Sequence, residues 1–524
     1  MYPGDFAATT PDKPAVILAR TGQSQSYREL FDGANRLSRL LQAAGLSAGD
    51  HYAILAENHL RYFEITWAGL NCGLYVTPIN SHLTAPEVAY LVADSGASVL
   101  ITTAALADVA EEIVPLTPGV TRRLMLDGIS DHYESLEQAT AEFSAEPLVD
   151  APRGNVMLYS SGTTGRPKGI RFPLPDHPAT EGDVELLAQS RALLDLEPST
   201  VYLSPAPLYH AAPLRVSSLV HCTGGTVIVM DKFEPEQALR AIERYRVTSS
   251  QWVPTMFVRL LKLDPAVRSR YDLSSLRIAV HAAAPCPPEV KRQMIEWWGP
   301  ILTEYYSGTE NIGTTILTSA EWLEHPGSVG RAYGSEIHIC REDGTEVPGR
   351  VDPDPSGKAH IPESVIGTVY FDTPSAEFSY HNNAEKTAAA AHPAHRTWRT
   401  LGDVGYLDTA GYLYLTDRRD FTIIAGGVNI YPREIEDVLI GHDAVADVAV
   451  FGIPHPELGE QVTAVVQPLD WDAAGEELAD RLLDHCDTQL ARFKLPRSIT
   501  FTPRLPRLDN GKLYKKQLRD AYWQ

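Results

Sequence analysis

The sequence is short of cysteine, with five in 524 residues, at Cys72, Cys222, Cys286, Cys340 and Cys486. The number is odd and no two form a CxxC pair. That argues against a disulfide framework and a zinc site, and for reduced thiols in a cytoplasmic protein. No apolar run is long enough to cross a bilayer, so no transmembrane segment is expected. The stretch MYPGDFAATTPDKPA has neither a basic n-region nor an apolar h-region, so no secretory signal is expected. Positive charge is also scarce: 45 Lys and Arg stand against 67 Asp and Glu, a net charge of −22. Nucleic-acid and anionic-membrane partners need a basic excess and are therefore disfavoured, although local basic pockets remain open.

What is present is ordinary globular composition, 44% hydrophobic and 21% charged, in a chain long enough for about two to four domains. The first half alternates helix-like and strand-like segments. YRELFDGANRLSRLLQAAG has helical spacing and stops at Gly45, and HYAILAEN reads as a buried strand. LRYFEITWAGLNCGLYVTPIN and APEVAYLVADSGASVLITT each read as helix then strand, and the rhythm returns in PEQALRAIERYRVTSSQWVP. Such alternation predicts an α/β fold with largely parallel sheets. From about Ser328 shorter strands and more turns predict a β-rich subdomain reaching 419. A domain of residues 1–419 and a small α+β domain of 420–524 are expected. Pro348–Ser364 reads as a polar surface loop.

The most distinctive stretch is YSSGTTGRPKG, Tyr159 to Gly169. Its glycines let backbone approach a phosphate, its hydroxyls and N–H groups are donors, and Lys168 adds a point charge. The spacing fits neither the Walker pattern nor the dinucleotide fingerprint, and a plain Ser/Thr/Gly turn is the alternative. Four further segments follow in order: YYSGTE (305–310), LGDVGYLD (401–408), DRRDFTIIAGGVNIYPREIE (417–436) and LPRLDNGKLYKKQLR (505–519). Together the five resemble the adenylate-forming superfamily, whose members include acyl-CoA synthetases, luciferases and the adenylation domains of peptide synthetases. HAAAP, EYYSGTE and GGVNIYPREIEDVL most resemble bacterial fatty-acyl-CoA synthetases.

The resemblance implies ATP and magnesium as cofactors and a carboxylic acid, a fatty acid for preference, as substrate. Ser160, Ser161, Gly162, Thr163, Thr164, Gly165 and Lys168 are implied to cradle the β- and γ-phosphates. Thr309 is implied at the α-phosphate and Glu310 at magnesium, with Thr163 a further candidate ligand. Tyr305, Tyr306 and Ser307 form one nucleotide wall, with Tyr306 on the adenine; Ala283 and Ala284 in the HAAAP turn form the other. Asp403 accepts the ribose hydroxyls, assisted by Arg418. Lys512 is the implied catalytic cation that bridges the attacking carboxylate and the α-phosphate. Nearby Lys515, Lys516 and Arg519 read as a solvated basic face. His210, counted with the catalytic set, is the implied gate of an acyl pocket walled by Trp252, Val253, Met256 and His281. Asp420 is the implied hinge, and Gly426 and Gly427 the lining of the thiol's approach. Each position also has a plain structural reading: a loop carboxylate for Glu310, a core aromatic for Tyr306, a surface ion pair for Asp403 and Arg418, a buried histidine for His210.

Three departures from the family pattern stand out. Leu401 replaces a threonine, Phe421 replaces an acidic residue, and the loop before GTVYF is about a dozen residues longer than a short connection. Acid–thiol ligation to CoA is the leading expectation. Loading of an acyl carrier protein's phosphopantetheine arm is the alternative, and the longer loop weakens the case for free CoA. Luciferase-like oxygenation has no support. A non-enzymatic nucleotide-binding module is disfavoured because Lys512, Glu310 and Asp403 are all present.

Overall fold

The structure is a computed structural model that describes residues 2–160, 167–181, 193–352, 361–373, 377–418, 421–425, 428–507 and 513–523. The fold is mixed α/β, and the chain forms two compact units. One comprises 1–252, 263–280 and 377–387; the other comprises 253–262, 281–376 and 388–524.

The first unit is built from parallel strands. One sheet runs Glu134–Ser135, Arg122–Leu126, Val99–Thr103, His51–Leu55, Tyr75–Ile79, Asn155–Val156, with every neighbour parallel. Its crossovers are helices such as Tyr62–Leu70 and Ala85–Ser95. His51–Leu55, Tyr75–Ile79 and Val99–Thr103 are buried at every position, which explains their continuous rather than alternating hydrophobicity. A second parallel set pairs Pro14–Leu18 with Thr226–Val229, then Val201–Ser204, then Ser249–Trp252. Helix Tyr27–Ala43 starts on a capping box: the Glu29 amide donates to Ser26 Oγ at 3.2 Å, and the Ser26 amide donates to Glu29 at 2.8 Å. A short antiparallel sheet carries Leu158–Ser160 against Lys168–Arg171, which also pairs with Ser379–Tyr380.

The second unit is mostly antiparallel. Leu302–Ser307 pairs with Thr314–Thr318, which pairs with Arg331–Tyr333. Glu336–Cys340, Gly367–Asp372, Asp403–Leu407 and Leu413–Arg418 form a second sheet, joined by Trp398–Arg399. Gly330 connects the two sheets. Its amide neighbour Val329 donates to the Leu413 carbonyl at 2.9 Å and its own carbonyl accepts from the Leu413 amide at 2.8 Å. It does so at φ +104°, with the Ile316 carbonyl oxygen 2.3 Å from where a Cβ would stand, so only glycine fits. The C-terminal stretch has a sheet of its own, Val428–Ile430, Ile423–Ala425, Gly459–Pro468, Val445–His455 and Ser498–Phe501. Its core gathers Ile435, Leu439, Val450, Val462, Leu478 and Leu482, all at most 2% exposed.

All five cysteines are free and buried. Among the described residues no helix is long and apolar enough to cross a membrane.

Candidate active site

In the first unit the glycine-rich stretch begins and ends on a hairpin. Ser160 stands directly opposite Lys168 in antiparallel register, so the two ends of the stretch are held side by side. Tyr159 anchors the entry: its hydroxyl donates to Asp94 at 2.7 Å, and burial, with that carboxylate, pushes its pKa up. Tyr90 holds the exit by donating to the Pro167 carbonyl at 3.2 Å. Ser161, Gly162, Thr163, Thr164 and Gly165 lie outside the described residues. His210 is the N-cap residue of helix Ala211–Thr223, its ring 4.4 Å from that of Tyr209. Trp252 closes strand Ser249–Trp252, buried, its indole N–H donating to Ser250 at 2.7 Å.

The second unit brings together the residues expected around a nucleotide. Strand Leu302–Ser307 ends on Tyr305, Tyr306 and Ser307, all half-buried. Ser307 donates to the Gly313 carbonyl at 2.8 Å. Between them the chain makes a tight turn through Thr309 and Glu310, closed by the Asn311 amide on the Gly308 carbonyl at 3.1 Å, with Asn311 at φ +50°. The Tyr306 hydroxyl donates to Asp403 Oδ2 at 2.5 Å. Asp403 is only 6% exposed and opens strand Asp403–Leu407, in register with Arg418 of the neighbouring strand. A carboxylate accepts hydrogen bonds from hydroxyls, which is the chemistry that ribose recognition needs. Leu401 packs on Gly308: its side chain comes within 2.7 Å of where a Gly308 Cβ would stand. At this departure an apolar contact replaces a hydroxyl and seats the Thr309–Glu310 turn.

The HAAAP turn follows strand Ile278–His281. Ala283 is exposed with φ +72°, and Ala284 is half-buried. His281 is fully buried, its ring edge-on to Phe257 at 5.4 Å and 3.8 Å from Glu304. Burial, then the Lys291 charge, push its pKa well down, so it is neutral. Lys291 and Glu304 form a buried ion pair at 2.6 Å that sequence reading passed over. The available signal was a lysine on the apolar stripe of helix Pro288–Trp298, at i, i+3 and i+4 with Met294 and Ile295. Val253 and Met256 lie buried at the start of helix Pro254–Leu261.

In the C-terminal part, Asp420, Gly426, Gly427 and Lys512 lie outside the described residues. The expected solvated basic face is corrected at one position: Lys515 is 9% exposed and paired with Glu436 at 2.8 Å. Phe421 explains itself here, because Lys515 and Arg519 each place a cation 5.5 Å from its ring.

The donor set suits an ATP–magnesium complex. Glu310 carries a carboxylate, the kind of oxygen group that magnesium takes beside phosphate and water. Tyr306 and Asp403 offer an aromatic face and a hydroxyl acceptor.

Comparison with known proteins gives the family. Residues 5–371 match the AMP-binding enzyme family and residues 434–512 match the AMP-binding enzyme C-terminal domain. The chain is 34% identical over 514 residues to a feruloyl-CoA synthase of Amycolatopsis sp, covering 97% of this chain and 96% of that one. It is 30% identical over 521 residues to the fatty acid–[acyl-carrier-protein] ligase ScoC of Streptomyces coeruleorubidus, covering 98% and 94%. Among solved structures it resembles ATP-bound MatB from Rhodopseudomonas palustris, with a TM-score of 0.79 at 28% identity, covering 100% and 99%. The chain belongs to the AMP-binding enzyme family, within the adenylate-forming superfamily of acid–CoA ligases.

If Asp403 holds the ribose hydroxyls, Asp403→Ala raises the ATP dissociation constant about tenfold or more, because hydrogen bonds to a charged group contribute roughly 1.5–3 kcal/mol. Calorimetry on the folded variant checks it, and unchanged ATP binding removes Asp403 from the site.

Proposed function

We propose that the protein is an ATP-dependent acid–thiol ligase that activates a fatty acid as its acyl adenylate and passes the acyl group to the thiol of CoA. The observation that carries the reading is the hydrogen bond from half-buried Tyr306 to buried Asp403 beside the Thr309–Glu310 turn, within a chain whose residues 5–371 and 434–512 match the family.

A carboxylate is a poor acylating agent because its leaving oxygen is too basic. In the first step a carboxylate oxygen attacks the α-phosphorus of ATP, the α–β phosphoanhydride bond breaks and pyrophosphate leaves. In the second step the thiol sulfur attacks the acyl carbonyl, the thiol proton is lost and AMP leaves. The first step brings an anion to a polyanion and needs cations and donors fixed in advance. Ser160 to Gly165 and Lys168 supply donors and charge to the β- and γ-phosphates, and Thr309 meets the α-phosphate. Glu310, with Thr163 as a second candidate, would hold magnesium, which when bound would neutralise phosphate charge. Tyr305, Tyr306 and Ser307 face Ala283 and Ala284 across the adenine, and Asp403 with Arg418 holds the ribose. Lys512 would bridge the attacking carboxylate and the α-phosphate. His210, Trp252, Val253, Met256 and His281 shape the acyl site.

One site must serve Lys512 first and a pantetheine thiol second. Residues 420–524 therefore act as a lid on residues 1–419, turning at Asp420, and Gly426 and Gly427 leave room for the thiol arm. The free, buried cysteines suit a reducing compartment, and the cytoplasm is the proposed location.

A second reading is favoured by one observation: the similarity to ScoC extends over 98% of this chain, and that protein is named for loading a carrier protein. The same first step then serves an acyl carrier protein in place of CoA. Pyrophosphate release from fatty and hydroxycinnamic acids, each with no thiol, with CoA, or with a phosphopantetheinylated carrier protein, separates the readings. The proposal expects multiple turnovers with a fatty acid and CoA. Turnover confined to the carrier protein establishes the second reading, and a preference for hydroxycinnamic acids overturns the fatty-acid assignment.

The role of Lys512 divides the two half-reactions. Lys512→Ala slows adenylation by about 10²–10³-fold, the loss typical of one preorganised electrostatic group. Thioester formation from supplied acyl-AMP is expected to survive within about tenfold by the same reasoning, since the cation acts only in the first step. Equal loss in single-turnover measurements of both half-reactions contradicts the assignment.

A further inference from the structure

The HAAAP turn and the YYSGTE segment are the two walls assigned to the nucleotide, and one buried cluster reaches both. Lys291 sits in the first turn of helix Pro288–Trp298, immediately after the HAAAP turn, and is 0% exposed. Its ammonium is 2.6 Å from Glu304 and 5.2 Å from the centre of the Trp322 ring. Glu304, 4% exposed, is in strand Leu302–Ser307, two residues before Tyr306 and therefore on the same face of that strand. His281 closes the strand that enters the HAAAP turn. Its Nε2 lies 3.8 Å from the same Glu304 oxygen, beyond hydrogen-bond reach, and neither ring nitrogen has a hydrogen-bond partner among the described residues. Both ends of the turn thus converge on one carboxylate of the opposite wall.

Two physical arguments say what this arrangement is for. A fully buried ion pair loses so much hydration that well-packed apolar residues of similar volume commonly serve stability as well or better. What an ion pair adds is a fixed distance and direction. The turn also contains Ala283 in the left-handed region at φ +72°, a conformation that a residue with a Cβ keeps only when its surroundings enforce it. Flanked by the packed ring of His281 on one side and the Lys291–Glu304 ion pair on the other, the turn has such surroundings.

We propose that Lys291 and Glu304, with His281 packed against them, are positioning residues: a buried latch that sets the HAAAP turn at a fixed separation from Tyr305–Glu310 and so preforms the adenine slot. The inference rests on the reading of these segments as nucleotide walls.

The test is the double variant Lys291→Met/Glu304→Leu. Either single substitution strands a buried charge or carboxylate and mainly reports folding. The double variant removes both charges together and is expected to fold, with a melting temperature near that of the wild type. Its ATP dissociation constant by calorimetry is expected to rise about tenfold, the order of effect of misplacing a preorganised site. The single-turnover rate of acyl-AMP formation at saturating ATP and acid is expected to stay within about twofold, a split between ATP affinity and rate that a general loss of stability does not produce. Wild-type ATP affinity in the double variant, an equal loss in ATP affinity and in that single-turnover rate, or failure of the double variant to fold each overturns the latch. Failure of the underlying reading looks different: the wild-type protein itself then shows no acid-dependent pyrophosphate release.

Discussion

The hydrogen bond from the Tyr306 hydroxyl to the buried Asp403 carboxylate is the contact on which the candidate site turns. It joins two sheets of the second unit at the point where each presents functional residues. On one side is the end of strand Leu302–Ser307, leading into Thr309 and Glu310. On the other is the start of strand Asp403–Leu407. A carboxylate 6% exposed needs donors, and the phenol supplies one while fixing the angle of an aromatic ring that remains half-buried. The bridge at Gly330 and the packing of Leu401 on Gly308 hold the same two sheets in place around it.

The charge distribution follows from the same need. A protein of net charge −22 is proposed to bind a polyanion, so positive charge has to be local. Between residues 492 and 519 there are nine Lys and Arg against one Asp. Several of these are already matched by carboxylates: Lys494 by Glu434 at 2.6 Å, Lys515 by Glu436 at 2.8 Å, and Arg507 by Asp447. These pairs fix the C-terminal part internally and leave the catalytic burden, in the proposed mechanism, to Lys512. Lys291 follows a different rule, because in a dry interior it is matched one to one by Glu304.

Local pattern carried most of the fold. The helical spacing ending at Gly45 corresponds to helix Tyr27–Ala43, and APEVAYLVADSGASVLITT corresponds to helix Ala85–Ser95 and strand Val99–Thr103. The alternation of helix-like and strand-like segments predicted parallel sheets, and the strands of the sheet around His51–Leu55 are parallel. The positions of the candidate site were legible only as five ordered motifs, since no periodicity says that Tyr306 and Asp403, 97 residues apart, share a hydrogen bond. The contacts that escaped notice are of the same long-range kind. Lys291 and Glu304 carried no sequence signal of their pairing, Leu401 read as a lost hydroxyl rather than a seat for Gly308, and Lys515 read as solvated although it is paired with Glu436.

The central claim is that the chain makes an acyl adenylate before any thiol takes part. Exchange of labelled pyrophosphate into ATP, measured with a fatty acid, magnesium and no thiol, tests it most directly because only reversible adenylation produces the label in ATP. The account predicts exchange that depends on the acid and continues in the complete absence of CoA and carrier protein. Absence of exchange with every acid tried, in protein that binds ATP, would contradict it.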